Sequence, residues 1–148
     1  MNRIKLTMPQ SYSFSTELIV RITDLNYGGH VGNDSFLSLI QEARQQYLKQ
    51  FGYAELDFEG LGLIMADAAI EYRHELNYGD HIRISVQATD FDKLGFDLFY
   101  LMEVFQGNET YVAGKAKTGM ICFDYSTKKK TSIPALALQK LNPGQAER

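Results

Sequence analysis

The residues best suited to chemistry lie in a single loop, Thr23 to Asp34. This loop holds two carboxylates, two carboxamides, one of the chain's three histidines and three glycines. A plain turn needs only a few such residues. The density of hydrogen-bonding side chains therefore indicates a site that handles a polarised carbonyl group.

Two predicted elements position this loop. An apolar run from Phe14 to Ile22 is typical of a strand, and the apolar positions from Ser35 to Phe51 repeat at helical spacing. They cover more than half of the helix circumference in its first half, which predicts a buried helix. Asn33 or Asp34 is expected to cap its N-terminus, and Gly52 is expected to stop it.

The remainder of the chain predicts a meander of strands. Alternating or continuous apolar runs and intervening turns predict strands at Leu61 to Tyr72, Ile82 to Ala88, Phe96 to Phe105 and Thr110 to Asp124. Pro134 is expected at a helix start, and residues from about Asn142 to Arg148 read as a polar tail. The order predicts one α+β domain over residues 1–148, with a five-stranded antiparallel sheet around a long central helix.

Composition excludes several classes of protein. A formal net charge of −3 argues against nucleic acid as the main partner, and the single cysteine, Cys122, forms no internal disulfide. The N-terminal residues lack the apolar core of a signal peptide, and no 18-residue apolar run predicts a membrane span. We therefore expect a cytoplasmic protein that does not bind membranes. No nucleotide or metal-ligand motif is present, so we expect no cofactor and no metal.

The order of several short motifs resembles that of the hotdog-fold thioesterases. Gly29-His30-Val31 leads into a helix that carries Glu42-Ala43-Arg44; Ile70-Glu71-Tyr72-Arg73 and Tyr78-Gly79-Asp80 follow. The chain is similar to the branch that contains 4-hydroxybenzoyl-CoA thioesterase and related acyl-CoA thioesterases, with some resemblance to plant acyl-ACP thioesterases. The similarity runs from about Leu18 to Pro134.

This resemblance implies a homodimer or homotetramer whose sheets join edge to edge. Active sites would lie between subunits, near the N-terminus of a buried helix. The substrate would be an acyl-CoA or, less favoured, an acyl-ACP. The backbone amide of Asn33 falls where the family polarises the thioester carbonyl, and a free amide at a helix start suits an oxyanion.

The family's usual catalytic aspartate falls on Asn26, and a carboxamide is not a general base near neutral pH. Asp24 matches a second acidic position of the motif. His30 matches a histidine of the plant enzymes, and Glu75 matches another acidic position proposed for catalysis there. We expect Asn26 and His30 to position the carbonyl or the water. The base is expected to be Asp24 or an acid of the partner subunit, either Asp67 or Glu75.

Each of these residues also has a structural interpretation. Asp24 and Asn26 are common turn residues, and Asp34 is more often a helix cap than a base. His30 is either a buried residue that holds the loop or a proton carrier. Asp67 lies in an apolar strand, where it either faces the partner's cleft or pairs across the interface.

The basic run Lys128-Lys129-Lys130 is the expected contact for the phosphates of CoA, although such runs are usually solvated. The hypothesis is therefore hydrolysis of an acyl-CoA thioester to the free acid and CoA. The substitution at Asn26 keeps a second hypothesis open, a hotdog dimer that binds acyl thioesters without turnover. A hotdog dehydratase is the weakest of the three, because the loop matches no dehydratase motif.

Overall fold

The computed structural model describes residues 1–146, which form six strands, three α-helices and one 3-10 turn at Ile22–Asp24. In chain order the elements are β1 (Phe14–Ile19), α1 (Asn33–Lys49), β2 (Gly62–Tyr72), β3 (His81–Thr89), β4 (Gly95–Gln106), β5 (Glu109–Asp124), β6 (Lys129–Lys130), α2 (Ala135–Leu141) and α3 (Pro143–Ala146).

The strands form one antiparallel sheet in the order β1-β3-β4-β5-β2. The predicted α+β fold with a sheet around a central helix is confirmed. The sheet has six strands rather than the predicted five, because the two-residue β6 pairs with Phe123 and Asp124 at the end of β5. Within residues 1–146, β1 pairs only with β3 and β2 only with β5, so each presents an edge without a partner strand.

Helix α1 is the buried helix that the apolar pattern predicts. Its 17 residues span about 25 Å, and its apolar face packs on the inner face of the sheet. The buried apolar residues of the helix are Phe36, Leu39, Ile40, Ala43, Tyr47 and Leu48. On the sheet, Ile82, Ile84 and Val86 alternate along β3 with no exposed surface. Burial of these side chains on both partners fixes the position of the helix.

Three predicted boundaries are wrong, each because a local contact ends or extends an element. β1 stops at Ile19 rather than Ile22, since the carboxylate of Asp24 accepts the amide of Arg21 and turns the chain. α1 starts at Asn33, and its N-cap is Gly32 rather than Asn33 or Asp34. At its other end α1 stops at Lys49, two residues before the predicted Phe51.

The C-terminal region differs from the predicted polar tail. Residues Pro143–Ala146 form the short helix α3, while residues 147 and 148 lie outside the described part of the chain. Pro134 is the N-cap of α2, one position before the first helical residue. The proline thus marks a helix start as predicted.

The N-terminal segment, residues 1–13, crosses the outer face of the sheet. The amide of Leu6 donates to Glu71 Oε2 at 2.8 Å, and the amide of Ser13 donates to Gln87 Oε1 at 2.7 Å. Ser85 and Phe99, which alternate with inward-facing residues of β3 and β4, are buried.

No helix in residues 1–146 has the length and apolar character needed to cross a membrane.

Candidate functional site

A cavity of about 250 Å³ opens at the N-terminus of α1. Its polar lining comes from three segments: His30 in the loop, Asn33 at the helix start, and the run Arg73-His74-Glu75 just after β2. Its apolar lining is Val31, Phe36, Tyr72, Leu76 and Ala113. The cavity thus joins charged and titratable groups at one side to an apolar wall at the other.

Asn26 shapes the loop that leads to this cavity. Its Oδ1 accepts the amide of Gly28 at 2.8 Å, and its own amide donates to the carbonyl of His30 at 2.8 Å. Gly29 closes the turn with a φ of 83°, a conformation that side chains disfavour. Asn26 therefore holds the tight turn that presents His30.

The start of α1 supplies a backbone amide that has no intrahelical acceptor. Gly32 is the cap, and it brings no capping side chain. A Cβ at Gly32 would lie 2.6 Å from Asp34 Oδ1, so a larger residue would displace that carboxylate. Among the described residues the Asn33 amide donates to no protein group, which leaves it available to an oxygen of a ligand.

Tyr72 ties the helix start to the end of β2. Its hydroxyl donates to the carbonyl of Asn33 at 3.2 Å, and its ring packs edge-on against Phe36 at a centroid distance of 5.3 Å. Burial, with a smaller effect from the Asp34 carboxylate, raises the pKa of this tyrosine. Tyr72 therefore stays protonated as a donor near neutral pH.

His30 lies between two polar residues of the β2–β3 connection. Its Nδ1 is 2.9 Å from Asn77 Oδ1 and 3.8 Å from Glu75 Oε2. The structure thus brings together three of the residues predicted for the site: His30, Asn33 and Glu75.

Asp24 occupies a different position from the cavity lining. It is buried, its Oδ2 accepts the amide of Arg21 at 2.8 Å, and it lines a separate groove between β1 and α1. Asp34 lies in the first turn of α1, on the exposed side beside Gly32.

Asp67 lies next to an irregularity in the pairing of β2 with β5. Its Oδ1 accepts Lys117 Nζ at 2.8 Å and the amide of Gly119 at 2.9 Å. The hydrogen bond from Lys117 is the main reason that the pKa of Asp67 is lowered. The carboxylate therefore has a partner within its own chain.

The basic run Lys128-Lys129-Lys130 is exposed at the opposite end of the sheet from the cavity. Lys130 pairs with Phe123 of β5, and Phe123 pairs with Gly62 at the start of β2. The cavity lies at the other end of β2, where Tyr72 contacts the start of α1. Ten residue steps along a strand correspond to about 33 Å. One chain therefore does not bring these lysines to its own cavity.

Two polar residues near the cavity were missed by the sequence reasoning, His74 and Asn77. His74 Nε2 is 2.9 Å from Gln106 Oε1, and its ring stacks on Tyr111 at a centroid distance of 4.5 Å. Their one sequence signal is closeness to Glu75, and no local pattern shows that the β2–β3 connection meets the loop.

Comparison with known proteins agrees with the fold. The family model described as the thioesterase-like superfamily matches residues 20–141. No curated protein matches the chain significantly. Among solved structures, a thioesterase-superfamily protein from Jannaschia sp. CCS1 superposes with a TM-score of 0.79 at 16% identity, covering 90% of this chain and 83% of that one.

Two further similar structures carry the names of specific enzymes. The 1,4-dihydroxy-2-naphthoyl-CoA thioesterase from Synechocystis has a TM-score of 0.75 and 21% identity, covering 86% of this chain and 93% of that one. The DHNA-CoA thioesterase from Staphylococcus aureus has a TM-score of 0.72 and 19% identity, covering 90% and 85% respectively. At these identities the likeness shows the fold alone.

Fold and cavity together define a hotdog-fold protein with its candidate site at the N-terminus of the central helix. The chain belongs to the thioesterase-like superfamily, whose model matches most of its length. This membership supports thioester hydrolysis as the general reaction.

Proposed function

We propose that this protein hydrolyses an acyl-CoA thioester at the N-terminus of α1. The observation that carries the proposal is the unpaired amide of Asn33, a residue that lines the same cavity as His30 and Glu75. A helix N-terminus favours the negative charge that develops on a thioester oxygen during attack. The adjacent imidazole of His30 supplies the ring nitrogen that accepts a proton in the proposed step.

In the proposed reaction, the oxygen of a water molecule bonds to the thioester carbonyl carbon while one water proton moves to His30. The Asn33 amide donates to the resulting oxyanion. The carbon–sulfur bond then breaks, the acid is released, and the CoA thiolate takes the proton from His30. No cofactor or metal enters this sequence.

His30 is favoured over the nearby carboxylates as the base because of the contacts around each group. The Asp24 carboxylate already accepts the amide of Arg21, and Asp67 is paired with Lys117. Glu75 lies 3.8 Å from His30 Nδ1, where its charge stabilises the imidazolium formed in the step. Asn26 contributes by holding the turn, and its carboxamide takes no proton.

The CoA contact is proposed to come from a second copy of the chain. β2 is an 11-residue edge strand with exposed Met65, Ala66 and Ala68, which suits antiparallel pairing with another β2. Such pairing brings the start of one β2 beside the end of the other. The basic run Lys128-Lys129-Lys130 of one copy then approaches the cavity of its neighbour, where it meets the CoA phosphates.

The reaction is tested by incubating the purified protein with acyl-CoAs of different acyl groups and with an acyl-ACP while free thiol is measured. Enzymatic release of CoA from at least one acyl-CoA, above the rate without protein, is expected. Release of thiol only from the acyl-ACP would indicate that acyl-ACP, rather than acyl-CoA, is the substrate. No release from any substrate would reject hydrolysis.

The shared site is tested by mixing two variants. His30→Gln removes the base, and the triple variant Lys128→Gln, Lys129→Gln, Lys130→Gln removes the phosphate contact, so each homodimer is impaired at both sites. A mixed dimer, refolded or co-expressed, contains one site with both intact elements, and activity is expected to return in part. If the mixture shows only the summed activity of the two homodimers, the lysines do not act across the interface.

Asn26 supports a second candidate function, a dimer that binds acyl-CoA without turnover, since a loop carboxylate is absent there. This reading predicts binding in calorimetry, no thiol release by the wild type, and new activity in Asn26→Asp. Turnover by the wild type that Asn26→Asp does not improve would exclude it.

A further inference from the structure

We propose that Asn77 is a positioning residue that fixes His30 as the Nδ1–H tautomer, so that Nε2 is the nitrogen that receives the proton. This inference rests on the proposed function, because it assigns the reactive atom of the same site. Asn77 lies 47 residues after His30, in the connection between β2 and β3.

The backbone around Asn77 is held by independent contacts. His30 and Asn77 form an antiparallel bridge, and the amide of Val31 donates to the carbonyl of Leu76 at 3.0 Å. The amide of Asn77 donates to Asp80 Oδ2 at 2.8 Å, and the same oxygen accepts Gln106 Nε2 at 3.1 Å. The side chain of Asn77 therefore has a defined position relative to the imidazole.

The hydrogen bond to Asn77 selects one tautomer. A carbonyl oxygen only accepts, so Asn77 Oδ1 at 2.9 Å from His30 Nδ1 requires the proton to reside on Nδ1. A neutral imidazole then carries its lone pair on Nε2, which contacts no polar protein group in the described residues. When Nε2 takes a proton, the Nδ1–H bond to Asn77 is retained and the ring does not need to turn.

The second histidine of the cavity, His74, makes its hydrogen bond through the other ring nitrogen. His74 Nε2 lies 2.9 Å from Gln106 Oε1. Because an amide oxygen only accepts, Nε2 of His74 carries the proton and the lone pair of the ring is on Nδ1. Its ring also stacks on Tyr111 with an interplanar angle of 4°. The two histidines line one cavity but offer different nitrogens, and only His30 has an adjacent carboxylate at 3.8 Å.

The tautomer is tested by long-range ¹H–¹⁵N NMR of the histidine side chains in the ligand-free protein, with His30→Gln used to assign the signals. Wild type is expected to show His30 protonated at Nδ1 and unprotonated at Nε2. Asn77→Ala removes the acceptor and is expected to give a mixture of tautomers. Asn77→Asp retains an acceptor oxygen and is expected to restore the single tautomer; Asn108→Ala, at an exposed turn asparagine, leaves it unchanged.

Kinetics give the second readout. Asn77→Ala is expected to lower kcat by about tenfold and to leave KM little changed. This loss is smaller than the one expected when a general base itself is removed. Asn77→Asp is expected to recover part of the lost kcat. An Nε2–H tautomer in the wild type, or a tautomer that Asn77→Ala does not alter, would overturn the proposal. Because the NMR readout needs no substrate, a wild type without thioesterase activity rejects the proposed function while the tautomer assignment is still decided.

Discussion

At the scale of single residues, the proposed reaction uses a different kind of catalytic group from the one that the family resemblance implies. The family resemblance places the usual aspartate at Asn26, and the carboxamide found there accepts the amide of Gly28 and holds the turn. His30, in the same loop, lies between Asn77 and Glu75, and it lines a cavity together with Asn33. In the proposed reaction the base is therefore an imidazole, supported by a connection that is distant in sequence, in place of a carboxylate in the loop.

Asp24→Ala is expected to destabilise the fold rather than to remove a base. The buried carboxylate accepts the amide of Arg21 at 2.8 Å, and loss of such a cap costs about 1 kcal/mol. Urea unfolding measures the change, with the exposed Asp57→Ala as a control that leaves stability unaltered. The activity of folded Asp24→Ala should stay close to that of wild type. A kcat lowered by about a hundredfold at unchanged stability would instead make Asp24 the base.

At the scale of elements, the site depends on how closely β2, β5 and α1 approach one another. Gly114 on β5 lies beneath Phe36 of α1, and a Cβ there would come within 2.3 Å of the Phe36 ring and 3.0 Å of the carbonyl of Glu71. The glycine therefore allows the first turn of the helix to sit on the sheet, with Tyr72 reaching its backbone.

Gly114→Ala is expected to lower the free energy of unfolding by about 2 kcal/mol, as overpacking of a filled core does. It should also weaken turnover, because the displaced Phe36 ring lines the cavity. Gly144→Ala, where the added Cβ meets no atom within 4 Å, is the matched control. Chemical denaturation of both variants measures the difference. If Gly114→Ala and Gly144→Ala have the same free energy of unfolding, the helix accommodates the added methyl group at position 114 without loss of stability.

Lys117 links β5 to two carboxylates, with Nζ 2.8 Å from Asp67 and 3.3 Å from Asp97. The pKa of Asp67 is lowered by this lysine, whereas burial outweighs the same cation and raises the pKa of Asp97. The lowered pKa means that the ionised carboxylate of Asp67 stabilises the folded state. This stabilisation is fully present at pH values above the usual pKa of 3.8 and is lost as the pH falls through the lowered pKa.

Lys117→Met is therefore expected to be less stable than wild type at neutral pH, by about 0.5 kcal/mol for these solvent-screened pairs. The deficit should shrink as acid protonates the two carboxylates. Urea unfolding at a series of pH values measures it, with Lys115→Met, on the same strand, as the charge-matched control. A deficit that does not change with pH would indicate lost packing of the lysine stem rather than lost ion pairs.

The strands and the buried helix were predictable because apolar alternation and helical spacing are local properties of the chain. The end of β1 and the start of α1 were not, since the Asp24–Arg21 contact and the bare cap at Gly32 are set by the folded loop. Motif positions predicted His30, Asn33 and Glu75 as site residues, and the structure places all three at one cavity. Asn77 and His74 required knowledge of which connection packs beside the loop.

At the scale of the whole molecule, the two sheet edges differ in what they offer a partner. β1 has six residues, whereas β2 has 11 and exposes Met65, Ala66 and Ala68 near its middle, together with the Asp67 carboxylate that pairs with Lys117. A second copy of β2 is therefore the proposed partner. Because the lysine run is far from the cavity of its own chain, the proposed dimer would take part in substrate binding.

Ala68→Arg is expected to convert the dimer to a monomer, because it places like charges near the middle of the paired edges. Sedimentation velocity measures the change, and Leu136→Arg, at an exposed position of α2, serves as the control. The monomer should bind CoA thioesters more weakly, which calorimetry measures. A dimer that survives Ala68→Arg would place the interface at another surface.

The most direct test of the central claim compares thiol release by wild type and His30→Gln at saturating concentration of the best acyl-CoA. With His30 as the base, we expect turnover by the wild type and a kcat lowered by at least about a hundredfold in His30→Gln, with the thermal midpoint of unfolding unchanged. Equal kcat values for the two proteins would contradict the assignment of the base, and an inactive wild type would contradict the proposed reaction itself.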